Sequence, residues 1–275
     1  MIDLHTHTTA SDGRLSPGDL VSRAAAAGVT VLSVTDHDTV AGAASASSAC
    51  AAAGLEFVPG IEITASWREI DIHILGYFID VRSPPLVTFL SAQRQRRIDR
   101  VREIVAKLDH LGMHLDADTL VKPAVDDPSK SAGRPWVARA MVAAGHAVSA
   151  DVAFQTWLGR GKPAYVPRLA ASPAEISRRI HEAGGLASLA HPGLIRRDEW
   201  IPDLVSDGLD AIEAYHSEHD APATQRYVDL AHRSAVLVSG GSDYHGDEAH
   251  GAPAPGAASL PRDAYEALRK RMRHN

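Results

Sequence analysis

The sequence holds one cysteine, Cys50, in 275 residues. A lone thiol excludes an internal disulfide framework and any thiolate-bound metal cluster. Cys50 lies in an Ala/Ser-rich stretch, where it reads as a small buried hydrophobe rather than a nucleophile. Aromatic residues are scarce at 5%, so Ala, Val and Leu supply most of the apolar volume. No stretch approaches the roughly 20 apolar residues of a membrane helix. The opening MIDLHTHT has neither a basic leader nor an apolar run, so no secretory signal is expected and a cytoplasmic location is. An excess of positive charge is missing as well. A formal net charge of -6 argues against a general polyanion binder, though not against a small phosphorylated substrate in a locally positive pocket.

Histidine is abundant: 15 residues, against four methionines and the single cysteine. Any metal site must therefore be built from nitrogen and oxygen ligands, which favours zinc, manganese or iron. The length fits one large domain, or one domain carrying an insertion. A chain of this size hides roughly 75% of its unfolded surface.

The first third alternates short strands with helices. Residues 2–6 are extended and lead into the polar turn TTASDG; Ser16 and Pro17 open a helix that ends at Gly28. Residues 29–34 form an apolar strand of the kind buried on both faces. A small-residue helix covers 39–53, and strands follow at 55–63 and 71–78. The pair Pro84-Pro85 marks a break. A long amphipathic helix then runs over 86–111, carrying Arg94, Arg96, Arg97, Arg100 and Arg102, read as a solvated face. Helices continue to about residue 166, with AYV the next strand. From Ser172 the alternation resumes, with strands near 186, 209 and 236. Seven strands in βα succession predict an α/β fold, a seven-stranded barrel interrupted by a helical insertion. The barrel spans 1–85 and 167–275 and the insertion 86–166, with function on the loops after the strands.

Ligand-type residues gather at these strand ends. His5 and His7 are two apart, and so are Asp243 and His245; alternate residues of a strand face one side. Thr35-Asp36-His37-Asp38 follows the second strand, Glu62 ends the third, His73 lies within the fourth and His191 ends the fifth. If the strands are parallel, these groups converge on one end of the barrel. A multinuclear metal site explains that convergence better than a set of unrelated loop histidines.

These blocks resemble the PHP (polymerase and histidinol phosphatase) family of metal-dependent phosphoesterases. The matching stretches are HTHT at 5–8, SDG at 11–13, TDHDT at 35–39, PGIEIT at 59–64, IHILGY at 72–77, LAHPG at 189–193 and GGSDYHG at 240–246. The family's fold is a distorted seven-stranded β/α barrel. The insertion, with GRP at 133–135 and GRGKPAYVP at 159–167, is most similar to the branch of TrpH-like proteins and nucleoside 3′,5′-bisphosphate phosphatases.

The resemblance implies three divalent metals, zinc, manganese or iron. His5, His7, Glu62 and Asp243 hold the first. Glu62 is shared with the second, completed by His73 and His191. Asp12, His37 and His245 hold the third; Asp12 stands where many relatives have a His and favours a harder ion. Asp36 and Asp38 are expected to orient ligands. A metal-activated hydroxide in the Glu62, His191 and Asp243 region is the expected nucleophile. Arg134, Arg160, Lys162, His216 and His219 are the substrate and phosphate candidates, with His216 and His219 equally able to act behind the ligands. Trp136 replaces a frequent family His and is read as packing the insertion rather than stacking on a base.

The expected activity is hydrolysis of phosphate monoesters of small nucleotides, such as pAp or AMP. The alternative is a 5′-to-3′ exonuclease on short RNA or DNA. Histidinol-phosphate phosphatase and a non-catalytic metal-binding module rank below these. The expected partner is a small phosphorylated molecule, with no obligate protein partner.

Overall fold

The computed structural model describes residues 1–68, 70–127, 130–246 and 254–272. The end of the sequence span resembling the family, 247–250, lies outside them. The chain falls into two compact units, residues 1–89 with 171–275 and residues 90–170.

The first unit is a seven-stranded sheet in the order β1 to β7: Ile2–Asp3, Val31–Val34, Glu56–Trp67, Ile70–Tyr77, Leu186–Leu189, Ala211–His216 and Leu237–Gly241. It is a nearly closed barrel. Between the first and last strands, the Leu4 amide donates to Gly240 O at 3.2 Å and Thr6 bridges Tyr244 in parallel. Gly241 permits this approach, because a Cβ there would collide with the backbone of His5. β2 and β5 are buried at every position, as strands covered on both faces must be.

The condition that all strands run parallel is not met at β4, which runs antiparallel to both β3 and β5. Only two residues separate Trp67 from Ile70, and so short a link can join only antiparallel neighbours. The reversal has a functional consequence. His73 sits mid-strand in β4, opposite Thr64 of β3, so it stands level with groups that follow the ends of the forward strands.

Helices α1 (Pro17–Ala26) and α2 (Ala43–Ala53) pack together outside β2 and β3. Ser16 caps α1 by accepting from the Asp19 amide. Helix α2 starts four residues later than the sequence suggests. Cys50 is fully buried under it, and burial pushes its thiol up to about 11. Ellman's reagent is therefore expected to leave Cys50 unmodified until denaturant is added; fast labelling of native protein would contradict this packing.

Helix α3 (Pro84–His110) begins in the first unit and continues into the second. Pro84 and Pro85 do not break the chain there but occupy the first turn of α3, where a missing N–H costs nothing. The second unit continues with α4 (Ala117–Asp126), α5 (Arg134–Ala143), α6 (Ala150–Ala153) and a π turn at Phe154–Leu158. Ile98, Val101, Ile104 and Leu108 of α3 form its core with Val137, Met141 and Leu158, and Trp136 packs against that core. Residues 164–166 (AYV) form no strand.

The arginines of α3 are tied down within this unit. Arg94 donates to Ala124 O and Arg100 donates twice to Val166 O, while Arg102 pairs with Asp118. Arg94 and Arg100 act as staples between α3 and the segments beside it, while Arg96 and Arg102 stay exposed, as expected of a solvated face.

The barrel unit is completed by α7 (Pro173–Glu182), α8 (Pro192–Ile195), α9 (Ile201–Ser206), α10 (Ala221–Arg233) and α11 (Arg262–Met272). No described helix is long and apolar enough to cross a membrane.

Candidate metal centre

The HTHT segment leaves β1 with Thr6 still bridged to Tyr244, beyond the end of β7, which holds the chain extended and sends His5 and His7 to the same side. Asp36 anchors the segment from the loop after β2. It accepts from the Thr8 amide at 2.7 Å, the Thr8 hydroxyl at 2.8 Å and the Ser11 hydroxyl at 2.8 Å. Asp38, at φ 56°, accepts from the Thr64 amide of β3. After β7 the convergence has a different local cause. Asp243 has φ 56°, so Asp243 and His245 reach the centre from a turn and not from a strand.

Glu62 is the hub. Its Oε2 lies 3.3 Å from His5 Nε2, 3.3 Å from His7 Nε2 and 3.0 Å from His37 Nδ1. Its Oε1 lies 2.8 Å from His73 Nδ1 and 3.1 Å from His191 Nε2. Asp243 Oδ1 is 3.3 Å from His5 Nε2 and 3.1 Å from His7 Nε2. Asp12, half exposed, stands 3.6 Å from His37 Nε2 and 3.4 Å from His245 Nε2.

The ligand-type atoms thus fall into overlapping sets, each with its atoms within 4.8 Å of one another: His5, His7, Glu62 and Asp243; His7, Asp12, His37 and His245; His37, Glu62 and His73; and, behind the first, His5, Glu213 and His216. All nine residues singled out as ligands in the sequence occupy one continuous cluster. His191 joins it through Glu62.

Two observations test whether cations fit this cluster. His5 Nε2, both nitrogens of His7, His37 Nδ1 and Glu62 Oε2 are buried without a hydrogen-bond partner. Buried polar atoms are rarely left so, and here they converge, which is how ligands stand around a shared ion. The second observation is the local field. Burial opposes charge on His37, yet Glu62, Asp12 and Asp38 raise its pKa to about 9. The carboxylates here demand positive charge. His7 is driven the other way, to about 4, by burial and by its neighbours His37 and His245, so it is neutral and ligand-competent at pH 7. Burial alone would raise Glu62, but the imidazoles of His37, His73 and His5 hold it well below the carboxylate range. Asp243 is also held well below it: burial opposes ionisation, and His5, His216 and His7 outweigh it. The donor set fits divalent metals with nitrogen and oxygen preferences.

The structure separates His216 from His219. His219 Nδ1 donates to Ala214 O at 2.9 Å, and its Nε2 accepts from the Gly193 amide at 3.1 Å. Both nitrogens are committed, so His219 keeps the 191–193 turn in place and has no ring nitrogen left for substrate. His216 Nδ1 accepts from the Glu218 amide, which puts the proton of the neutral ring on Nε2. That N–H faces the centre, 3.5 Å from Asp243 Oδ2.

Glu213 has no part in the sequence reading. It is fully buried on β6 and contacts His5 and the backbone of His191. An acid in the middle of the strand AIEAYH, flanked by Ile212 and Ala214, was the available signal, since a buried acid must find partners.

Within the second unit, the Arg134 guanidinium lies over the rings of Phe154 (5.7 Å) and Tyr165 (5.9 Å) and reaches Leu158 O at 3.4 Å. Arg160 and Lys162 are exposed in the turn that follows the π segment.

A PHP domain model matches residues 3–139. The 3′,5′-nucleoside bisphosphate phosphatase of Chromobacterium violaceum is 35% identical over 251 residues, 89% of this chain and 87% of that protein. The 5′-3′ exoribonuclease Rnm of Escherichia coli is 35% identical over 253 residues, 88% of this chain and 84% of that one. A solved structure from Bifidobacterium adolescentis, described as a metal-dependent phosphoesterase, superposes with a TM-score of 0.79 at 30% identity. It covers 98% of this chain and 95% of its own. An amidohydrolase structure from Chromobacterium violaceum, with bound sulfate and no metal, gives 0.77 at 32% identity, covering 98% and 96%.

Proposed function

The chain belongs to the PHP family of metal-dependent phosphoesterases, and from that premise we propose that it hydrolyses phosphate monoesters of small nucleotides, either 3′,5′-bisphosphonucleotides such as pAp, or the monophosphate AMP. The observation that carries the reading is the convergence of unpartnered buried imidazole and carboxylate atoms around Glu62. Three of the overlapping ligand sets would hold three divalent ions, zinc, manganese or iron, and Glu62 would serve two of them. His191 and Asp243 stand with Glu62 on the side where attack is proposed. Bound there, such ions supply Lewis acidity and lower the pKa of water.

The chain's own groups do the rest. Glu62, Asp243 and Asp12 provide the negative charge that holds cations in a buried site. His216 offers Nε2–H to a phosphoryl or leaving-group oxygen, where charge grows during the reaction. Arg134, Arg160 and Lys162 are the proposed phosphate-binding cations; a guanidinium suits two-pronged recognition of phosphate. The cytoplasmic location expected from the sequence is part of the same reading.

A second reading, 5′-to-3′ cleavage of short oligonucleotides, has the Escherichia coli relative in its favour. The bonding of Arg94, Arg100 and Arg102 within their own unit weighs against it, because it removes the long basic track such a substrate would use.

The test is metal analysis of purified protein combined with phosphate release from pAp, AMP, histidinol phosphate and 5′-phosphorylated oligonucleotides. Metal-dependent release, fastest with the nucleotides, is expected. Turnover of histidinol phosphate alone would overturn the nucleotide assignment, and a protein that releases nothing from any of them would be a metal-binding module.

A further inference from the structure

Resting on the metal-centre reading above, we infer that Glu213 is a positioning residue that fixes His5 and His191, groups from two different strands, in ligating geometry. Glu213 lies on β6 and is fully buried, so it cannot keep its charge without strong partners. It has two. Oε1 lies 2.9 Å from His5 Nδ1, and Oε2 accepts from the His191 amide at 2.7 Å.

The first contact sets a tautomer. An ionised carboxylate only accepts hydrogen bonds, so the hydrogen of His5 must sit on Nδ1. The lone pair of the neutral ring is then on Nε2, the atom placed 3.3 Å from both Glu62 Oε2 and Asp243 Oδ1 without a hydrogen-bond partner. The opposite tautomer would aim an N–H at the centre and leave His5 unable to ligate there.

The second contact holds a strained backbone. His191 adopts φ 27°, ψ 59°, a strained conformation that a side chain bearing Cβ rarely takes. Its amide is bonded by Glu213, and the Gly193 amide two residues on is bonded by His219 Nε2. Two acceptors from β6 and the turn after it thus clamp the LAHPG loop, and the His191 ring is delivered 3.1 Å from Glu62 Oε1.

The variant Glu213→Gln keeps the size of the side chain but has one acceptor and one donor end. Whichever way the amide turns, it either forces a donor onto the His191 N–H or inverts the His5 tautomer. Partners behind metal-ligating histidines typically change metal affinity by about 10–100-fold. Metal-stripped wild type and Glu213→Gln should be titrated with Mn(II) and Zn(II) by calorimetry. The expected result is 10–100-fold weaker binding at unchanged stoichiometry, in a variant that still unfolds cooperatively. The loss of one ion with the others unaffected would instead make Glu213 a ligand and overturn the inference, as would unaltered affinity.

A second measurement is independent of the variant. Long-range proton–nitrogen spectra of the metal-free wild type, with His5 assigned by the signal missing in His5→Gln, should show the Nδ1–H form. They are taken at a pH above the His5 pKa, which burial lowers but Glu213, Asp243 and Glu62 raise further, so that the ring is neutral. Finding the Nε2–H form would overturn the inference even if Glu213→Gln failed to fold. If wild type takes up no metal while His5 is Nδ1–H, the metal-centre reading fails and Glu213's control of the tautomer stands.

Discussion

Replacing Glu62 by Gln is expected to give a folded protein that retains little metal and turns over at least about 10³-fold more slowly, beyond the roughly 10–100-fold that groups behind the ligands command. The carboxylate meets five imidazoles, His5, His7 and His37 on Oε2 and His73 and His191 on Oε1. Gln removes the negative charge and turns one oxygen into an N–H donor, so at least one side of the cluster faces a donor where it needs an acceptor. On the proposal that two ions share Glu62, the loss should therefore strike both, not one. If the cluster were only a network of buried ion pairs, the outcome would differ: imidazoles deprived of their counter-charge would destabilise the fold, by the 3–5 kcal/mol typical of a broken buried pair. Metal content, circular dichroism and phosphate release on the same preparation separate the two. Full activity with normal metal content would sink the assignment of Glu62.

Much of this centre was legible because its residues follow strand ends, and buried strands announce themselves by composition. VLSV and LASL are apolar or small throughout and buried at every position, and the candidate ligands His37 and His191 lie in the loops just beyond them. Strand direction was not legible in the same way. A strand buried on both faces looks the same read in either sense, so β4 was placed in sequence without its orientation. Its edges hid the clue: expected ends at residues 63 and 71 left a seven-residue gap, whereas the hairpin closes over two. Even that gap was too short for a parallel crossover.

Glu213 escaped for another reason. Its partners are a ring nitrogen 208 positions away and a backbone amide, and nothing local in LDAIEAY names either. His219 and His216 look equivalent in AYHSEH; only the surrounding amides and carbonyls, which the sequence does not display, decide which ring faces the centre. The α3 arginines show the limit of charge patterning. Their targets are carbonyl oxygens of Ala124 and Val166, groups that every residue carries and no sequence pattern marks.

The closure of the barrel supplies the second large effect. Asp3, at the end of β1, is fully buried, and its carboxylate collects four donors: the Ser242 amide at 2.8 Å, the Ser242 hydroxyl at 2.7 Å, the Gly256 amide at 2.6 Å and the His5 amide at 3.3 Å. These bonds tie the first strand to the turn after the last one, where the barrel has little ladder of its own, since β1 is two residues long. Burial pushes the Asp3 carboxyl up from its ordinary pKa while the hydrogen bonds pull it down. The charge is thus a cost, and the stabilisation lies in the donors it satisfies. Asp3→Ala leaves those donors without acceptors at about 1–3 kcal/mol each, so a non-additive total of about 3–5 kcal/mol is expected. That is a large share of the roughly 5–15 kcal/mol by which a domain is stable. Asp3→Asn removes the cost of the charge and keeps one accepting oxygen, so it should fall between wild type and Ala. Urea unfolding of the three metal-free proteins measures the series. Because the same turn carries Asp243 and His245, metal affinity should weaken along with stability in Asp3→Ala. An Ala variant as stable as wild type would show that the ladder between the first and last strands closes the barrel without Asp3.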